Sequence, residues 1–156
     1  MMNNVRVGDY FYFSGNNFSV IGVNRIQFIT SINVSDDEGS RRIYSRFLDD
    51  DSFNSFQEGS IYFNQCIKVD DVRNFGIGDK IRYMGDDDKL GVQEIIEVHY
   101  FFNELDEITT RNCFGGKNRF DYDSVYGRRC VMVYYGSGGF KTEYDNGIPV
   151  VWGDEL

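Results

Sequence analysis

Val7-Gly8-Asp9-Tyr10-Phe11-Tyr12-Phe13-Ser14-Gly15 returns seventy residues later as Ile77-Gly78-Asp79-Lys80-Ile81-Arg82-Tyr83-Met84-Gly85. Each stretch opens with an apolar residue, Gly and Asp, alternates, and closes on Gly. A second block, Gly22-Val23-Asn24-Arg25-Ile26, aligns with Gly91-Val92-Gln93-Glu94-Ile95 at an offset of 69. A third joins Asn54, Phe56, Ser60, Ile61, Tyr62, Cys66, Ile67 and Val69 to Asn118, Phe120, Ser124, Val125, Tyr126, Cys130, Val131 and Val133, at an offset of 64. The order is the same throughout. One small fold has been copied and fused to itself, so each position has an internal control at its match.

In 156 residues there is no Ala and little Leu, while Ile, Val, Phe and Tyr are plentiful. The best helix former is missing and residues suited to a pleated, half-buried surface replace it. The expectation is an all-β protein: a first β-barrel repeat over 1–72, a second over 73–135, and a C-terminal β tail over 136–156 packing on them. Units this small bury modest cores and are expected to lean on each other. Strands are expected at about Val20–Thr30, Arg41–Phe47, Ser60–Val69, Leu90–Phe102, Asn112–Phe114 and Val125–Tyr135. Asp- and Ser-rich stretches such as Asp49–Ser55 read as loops. The tail is expected to hold short strands near Phe140–Tyr144 and Ile148–Val151, with Trp152 anchoring it.

Side chains alternate faces along a strand, so the duplication assigns the faces of the first one. Phe11 and Phe13 match Ile81 and Tyr83 and point to the core. Tyr10 and Tyr12 match Lys80 and Arg82, so they are expected to face solvent as a contact surface for a protein partner, or for the second repeat. Tyr62 and Tyr126 join them as candidate contact residues.

The pattern apolar-Gly-Asp-x-apolar-x-aromatic, followed by Gly-Val-x-x-Ile, resembles the opening hairpin of Src-homology-3-like small barrels, the group of Tudor and KOW modules. The resemblance covers about 25 residues of each repeat and implies a small barrel. It is compatible with binding of methylated side chains in an aromatic cage, binding of nucleic acid, or a structural role in assemblies.

A net charge of −9, with no basic run longer than two residues, argues against direct contact with a phosphate backbone. The opening Met1–Arg6 lacks the apolar run of a signal peptide, and no apolar run is long enough to span a bilayer. Three Cys without paired spacing do not form a disulfide framework. An intracellular, reducing (cytoplasmic) location or a virion is therefore expected.

The residues give catalysis little to work with. His99 is the sole histidine and has no nucleophile in a recognisable setting near it in sequence. Asp86-Asp87-Asp88 begins a string with Asp at positions 1 and 3, Gly at 6 and Glu at 12, like a calcium loop, but Leu90 stands where an oxygen ligand belongs and the flanks read as strands. Cys66 and Cys130 match each other, which favours packing over reactivity. No cofactor and no metal site is expected, and the chain is read as a non-enzyme.

The function expected from the sequence is a structural or adaptor protein with protein partners in an oligomeric or multi-component assembly, and no membrane contact. Its most concrete form is a viral (phage) particle component. One alternative is an acidic inhibitor that mimics nucleic acid on a basic enzyme site, using Asp49, Asp50 and Asp51 with Asp86, Asp87 and Asp88. Another is a Tudor-like reader of methylated ligands.

Overall fold

The structure, a computed structural model, describes residues 4–15, 22–34, 40–85 and 90–136, and the backbone of 143–145 and 148–150. The Asp86–Asp88 cluster, the start of the calcium-like string and Trp152 lie outside the described residues. The chain divides into two compact units, Met1–Val72 and Arg73–Leu156. It is nearly all β.

The first unit runs β1 (Tyr10–Phe13), β2 (Ile26–Val34), β3 (Arg41–Phe47), β4 (Phe53–Gln57), a single helical turn α1 (Ile61–Asn64) and β5 (Cys66–Val69). The second repeats the series as β6 (Lys80–Tyr83), β7 (Val92–Phe101), β8 (Glu104–Asn112), β9 (Lys117–Asp121), α2 (Val125–Arg128) and β10 (Cys130–Tyr134). It then adds β11 (Glu143–Asp145) and β12 (Ile148–Val150). In the first sheet the order is β4-β3-β2-β1-β5, and in the second β10-β6-β7-β8-β9 repeats it in mirror reading. The tail enters the second sheet: β11 lies parallel to β7 along Val98–Tyr100, on the edge not taken by β8, and β12 pairs with β11.

The expected closed barrel is not what forms. Among the described residues β4 pairs only with β3 and β5 only with β1, so each five-stranded sheet stays open. The helical turn bridges the two ends instead. That turn also corrects the strands expected at Ser60–Val69 and Val125–Tyr135. Ser60 and Ser124 are N-caps whose hydroxyls accept from Phe63 N and Gly127 N, so the first half of each segment winds before the strand begins. β4 begins inside Asp49–Ser55, where a loop is expected, and both β4 and β9 are short strands with a single partner among the described residues. Asn112 ends β8, and Cys113–Gly116 turns the chain rather than extending it.

Backbone hydrogen bonds set the true equivalence of the repeats. Gly8 N donates to Ile29 O and Ile29 N to Asp9 O, while Gly78 N donates to Ile95 O and Ile95 N to Asp79 O. Ile95 is therefore the counterpart of Ile29, not of Ile26. The offset along this strand is 66 rather than the 69 of the sequence match, because register follows the turn before β1 and β6 and not the glycine at the loop. Gly8 and Gly78 hold φ values of 97° and 91°, where a Cβ is disfavoured, which lets that turn form. Both second strands even carry a bulge at the same place, between Ile29 and Ser31 and between Ile95 and Glu97.

In the first unit Val5, Phe11, Phe13, Ile29, Ile43, Phe56, Phe63 and Cys66 form the core. In the second, Ile81, Ile95, Val98, Ile108, Phe120, Cys130, Met132 and Val133 are buried. Each large apolar side chain removed from water contributes about 1.5–3 kcal/mol. The duplication assigned the inward face of β1 correctly; the outward face is different from expectation. Tyr12 is only 9% exposed and Tyr10 half-buried, with Tyr10 5.2 Å from Phe28. Tyr12 stands opposite buried Ile26 on β2 and Ile67 on β5. An interior strand flanked on both sides by bulky neighbours shields even the face whose matched residues are Lys80 and Arg82.

Candidate functional site

Four tyrosines carry the contact expectation, and within the first unit the fold does not gather Tyr10, Tyr12 and Tyr62. Tyr10 and Tyr12 lie on the outer face of β1, opposite Phe11 and Phe13. Tyr62 lies against the inner face, its ring stacked on Phe13 at 4.4 Å with 2° between the planes. Tyr126 stacks in the same way on Tyr83, at 4.6 Å and 9°, in the second unit. An aromatic cage needs rings converging on one cleft, and Tyr10, Tyr12 and Tyr62 are split between two faces of a sheet.

What Tyr62 and Tyr126 do is hold a buried polar cluster that sequence reading missed. Gln27 and Gln93 are fully buried, each the second residue of its strand, β2 or β7. Gln27 Nε2 donates to the Tyr62 hydroxyl at 2.8 Å, and Gln27 Oε1 accepts from Ser45 Oγ at 2.7 Å and from Asn54 Nδ2 at 3.2 Å. Asn54 Nδ2 also reaches the Tyr62 hydroxyl at 3.2 Å. In the second unit Gln93 Nε2 donates to the Tyr126 hydroxyl at 2.8 Å, and Gln93 Oε1 accepts from Thr110 Oγ1 at 2.6 Å. Burial pushes the Tyr62 hydroxyl pKa up, and the bond from Gln27 works against that rise. A buried amide in an apolar core is costly unless its donors and acceptors are used. Here the network is complete enough to read as a structural pin. The sequence match sets Gln93 against Asn24, so the shared position of the two Gln shows only in strand pairing, although each Tyr was already matched.

The helical turn presented by each pin has an exposed apolar side chain in front of it. Ile61 is 81% exposed and its match Val125 is 78% exposed, each the first residue after the Ser cap. Sequence alone grouped them with the buried strands. Their anchoring is firm, because the next residue is the stacked, hydrogen-bonded Tyr. Phe53 at the start of β4 and Phe114 in the β8–β9 turn are also exposed.

The described acidic cluster is largely answered within its own unit. Arg25 grips Asp49 with Nε and Nη2, both at 2.6 Å, reaches Asp50 at 3.1 Å, and lies over the Phe47 ring at 4.0 Å. The bond to Asp49 is the main cause of the raised Arg25 pKa. Asp50 is held below the usual carboxylate range by the hydroxyl and amide of Ser52. Asp51 lies 4.0 Å from Arg46. A mimic of phosphate needs carboxylates aimed outward, and Asp49 is turned inward onto Arg25.

Cys66 and Cys130 are buried at matched sites, their thiols donating to Tyr62 O at 3.3 Å and Tyr126 O at 3.5 Å. Burial pushes the Cys66 thiol up to about 12. Cys113 is exposed. His99 lies 3.6 Å from Glu97, which also approaches Arg119 at 3.9 Å. Among the described residues no group of three or more His, Cys, Asp or Glu is gathered as a metal site, and no helix is long and apolar enough to cross a membrane.

Comparison with models of protein families, with curated proteins and with solved structures finds no significant match for this chain.

Proposed function

We propose that this chain is a non-enzymatic structural or adaptor protein that works by surface contact inside a larger assembly, a virus particle being the most concrete setting. The observation that carries the reading is the paired exposure of Ile61 and Val125. A soluble module tolerates one stray exposed aliphatic. A β-branched aliphatic kept exposed at the same site in both copies, on a turn fixed by a Ser cap and a Tyr–Gln bond, is the arrangement expected of a contact point used twice. Rigid backing matters because a preordered apolar anchor loses little side-chain freedom on binding. The pairing of Asp49 with Arg25 favours this reading over an acidic mimic.

The test is to recover the protein from its source and measure the mass of its complex by native size-exclusion with light scattering, beside a variant carrying Ile61→Asp and Val125→Asp. Both positions are exposed, so the thermal transition of the variant is expected to stay within a degree or two of the parent, since such surface changes stay within about 0.5 kcal/mol. Co-migration of the parent with a large, salt-resistant particle and loss of the variant from it are the expected results. A parent that runs free of any particle overturns the proposal.

A further inference from the structure

Among the described residues, the outermost strand of the first sheet carries no charged side chain of its own, whereas its duplicate does. β4 reads Phe53-Asn54-Ser55-Phe56-Gln57, without a charge, and β9 reads Lys117-Asn118-Arg119-Phe120-Asp121, with three. Edge strands present unpaired N–H and C=O groups, and soluble proteins blunt them with charged side chains, Lys above all. The same fold position is thus blunted in one copy and open in the other. Of the remaining outer strands, β5 carries Lys68, β10 has Met132 and Val133 buried, and β12 is three residues long with Pro149 at its centre.

The direction of the free groups follows from the β3–β4 ladder. Phe47 N donates to Ser52 O and Glu58 N donates to Arg41 O. Backbone groups alternate sides along an antiparallel strand, so Ser52, Asn54, Phe56 and Glu58 bond to β3, and Phe53, Ser55 and Gln57 direct their N–H and C=O groups away from it, Gln57 O into a turn where it accepts from Ser60 N at 3.1 Å. Ser55 N meanwhile donates to Asn54 Oδ1 at 2.9 Å, a local stopper that pairing would displace, while Asn54 stays anchored through its Nδ2 in the buried network. Phe53, at the start of the strand, is 79% exposed.

We infer that β4 is a self-association edge: two copies of this chain pair antiparallel through β4 about a two-fold axis at Ser55, joining two five-stranded sheets into one. In that register Ser55 faces Ser55 of the second copy and each Phe53 faces a Gln57. The three outward residues then exchange roughly four backbone hydrogen bonds, because each Gln57 O already accepts from Ser60 N in the turn that ends the strand. A strand meeting itself about a two-fold sets its central residue against itself, so it must be neutral there. β4 meets that condition with Ser55; β9 would set Arg119 against Arg119. The exposed Phe53 ring covers the stem of Gln57 across the seam, an apolar contact of the kind that stabilises cross-strand pairs. The inference names the partner for the assembly reading above and rests on it.

The experiment uses the full chain. Sedimentation equilibrium across a wide concentration range, in enough salt to screen the net charge, is expected to show a monomer–dimer equilibrium. Ser55→Lys and Ser55→Glu each set like charges opposite each other at the axis, and each is expected to weaken the dimer by roughly fivefold or more. Ser55→Glu places its carboxylate beside Arg42, whose Nη2 now donates to Ser55 Oγ at 3.0 Å, so its fold is expected to survive. An equimolar mixture of the two variants is expected to recover the dimer as a mixed pair, which a merely structural role for Ser55 would not produce. A parent that is monomeric throughout, single variants that dimerise like the parent, or a mixture that shows no recovery each overturns the inference. The assembly reading fails separately, by absence of the parent from any particle recovered from its source.

Discussion

Gln27 Nε2 donates to the Tyr62 hydroxyl at 2.8 Å, across 35 residues of sequence, and Gln93 donates to the Tyr126 hydroxyl over the same distance in the second unit. This bond fixes the helical turn to the centre of the sheet. Tyr62→Phe removes the acceptor and leaves Gln27 and Asn54 donors without it inside the core. A loss of about 1–3 kcal/mol is expected, measured by urea unfolding. Tyr126→Phe should cost a similar amount in its own unit. A stability unchanged in Tyr62→Phe would show that the hydroxyl is not a pin.

Asp49 belongs to stability rather than to a partner. It accepts two charge-assisted bonds from Arg25, with both side chains about four-fifths buried. Asp49→Ala leaves Arg25 with the more exposed Asp50, and a loss of roughly 1–2 kcal/mol is expected. Asp50→Ala should cost less. Thermal unfolding of the two variants side by side decides this, and equal losses would contradict it.

The buried thiol of Cys66 gives an alkaline dependence with a definite sign. Its pKa is raised from 9.0 in the unfolded chain to about 12 in the folded one. Its contribution is fully present below pH 9.0 and is lost as pH rises through the folded value, because the unfolded thiol ionises first. Between those limits the slope from this one group is at most about 1.4 kcal/mol per pH unit. Cys66→Ala should be less stable at neutral pH, from the lost packing, and should lose stability less steeply on moving into the alkaline window. Equal slopes for parent and variant would remove the assignment. A thiol reagent is expected to modify exposed Cys113 in the native protein and to reach Cys66 and Cys130 on unfolding.

Gly127 matches Phe63 in the repeat, yet the two sites are not interchangeable. A Cβ at Gly127 would stand 2.3 Å from Asp121 O and 2.6 Å from Tyr122 O, both backbone atoms that cannot swing aside. Arg73 crosses here, donating from Nη2 to Tyr122 O at 3.0 Å and to Gly127 O at 3.3 Å while lying over the Tyr122 ring. Gly127→Ala is expected to destabilise the second unit by about 1–3 kcal/mol. Gly127→Phe, which restores the residue of the first copy, should prevent that unit from folding. Chemical denaturation followed by circular dichroism checks both; a well-folded Gly127→Phe would mean that α2 has room to move outward.

Much of this architecture is legible in the chain because duplication repeats it. The β class follows from residues that suit a pleated surface and the absence of Ala. The inward face of β1 follows from Phe11 and Phe13 against Ile81 and Tyr83, and the burial of Cys66 and Cys130 from their match. The Ser caps of α1 and α2 also stood among the matched residues. Ile61 and Val125 have strand preferences, and only the geometry after Phe56 and Phe120 shows the chain winding there.

Sequence by itself determined composition, period and alternation, which are local properties that survive in any register. Tertiary structure alone decided the rest. It set the offset that equates Ile29 with Ile95, the covering of Tyr12, the inward turn of the Tyr62 hydroxyl, and the pairing of Arg25 with Asp49. Each depends on which distant strand lies alongside, and strand pairing is a long-range choice made by hydrogen bonding and packing across the whole sheet. β4 is uncharged where β9 carries three charges, and which strand lies beside an edge is likewise a long-range matter that its own residues do not state.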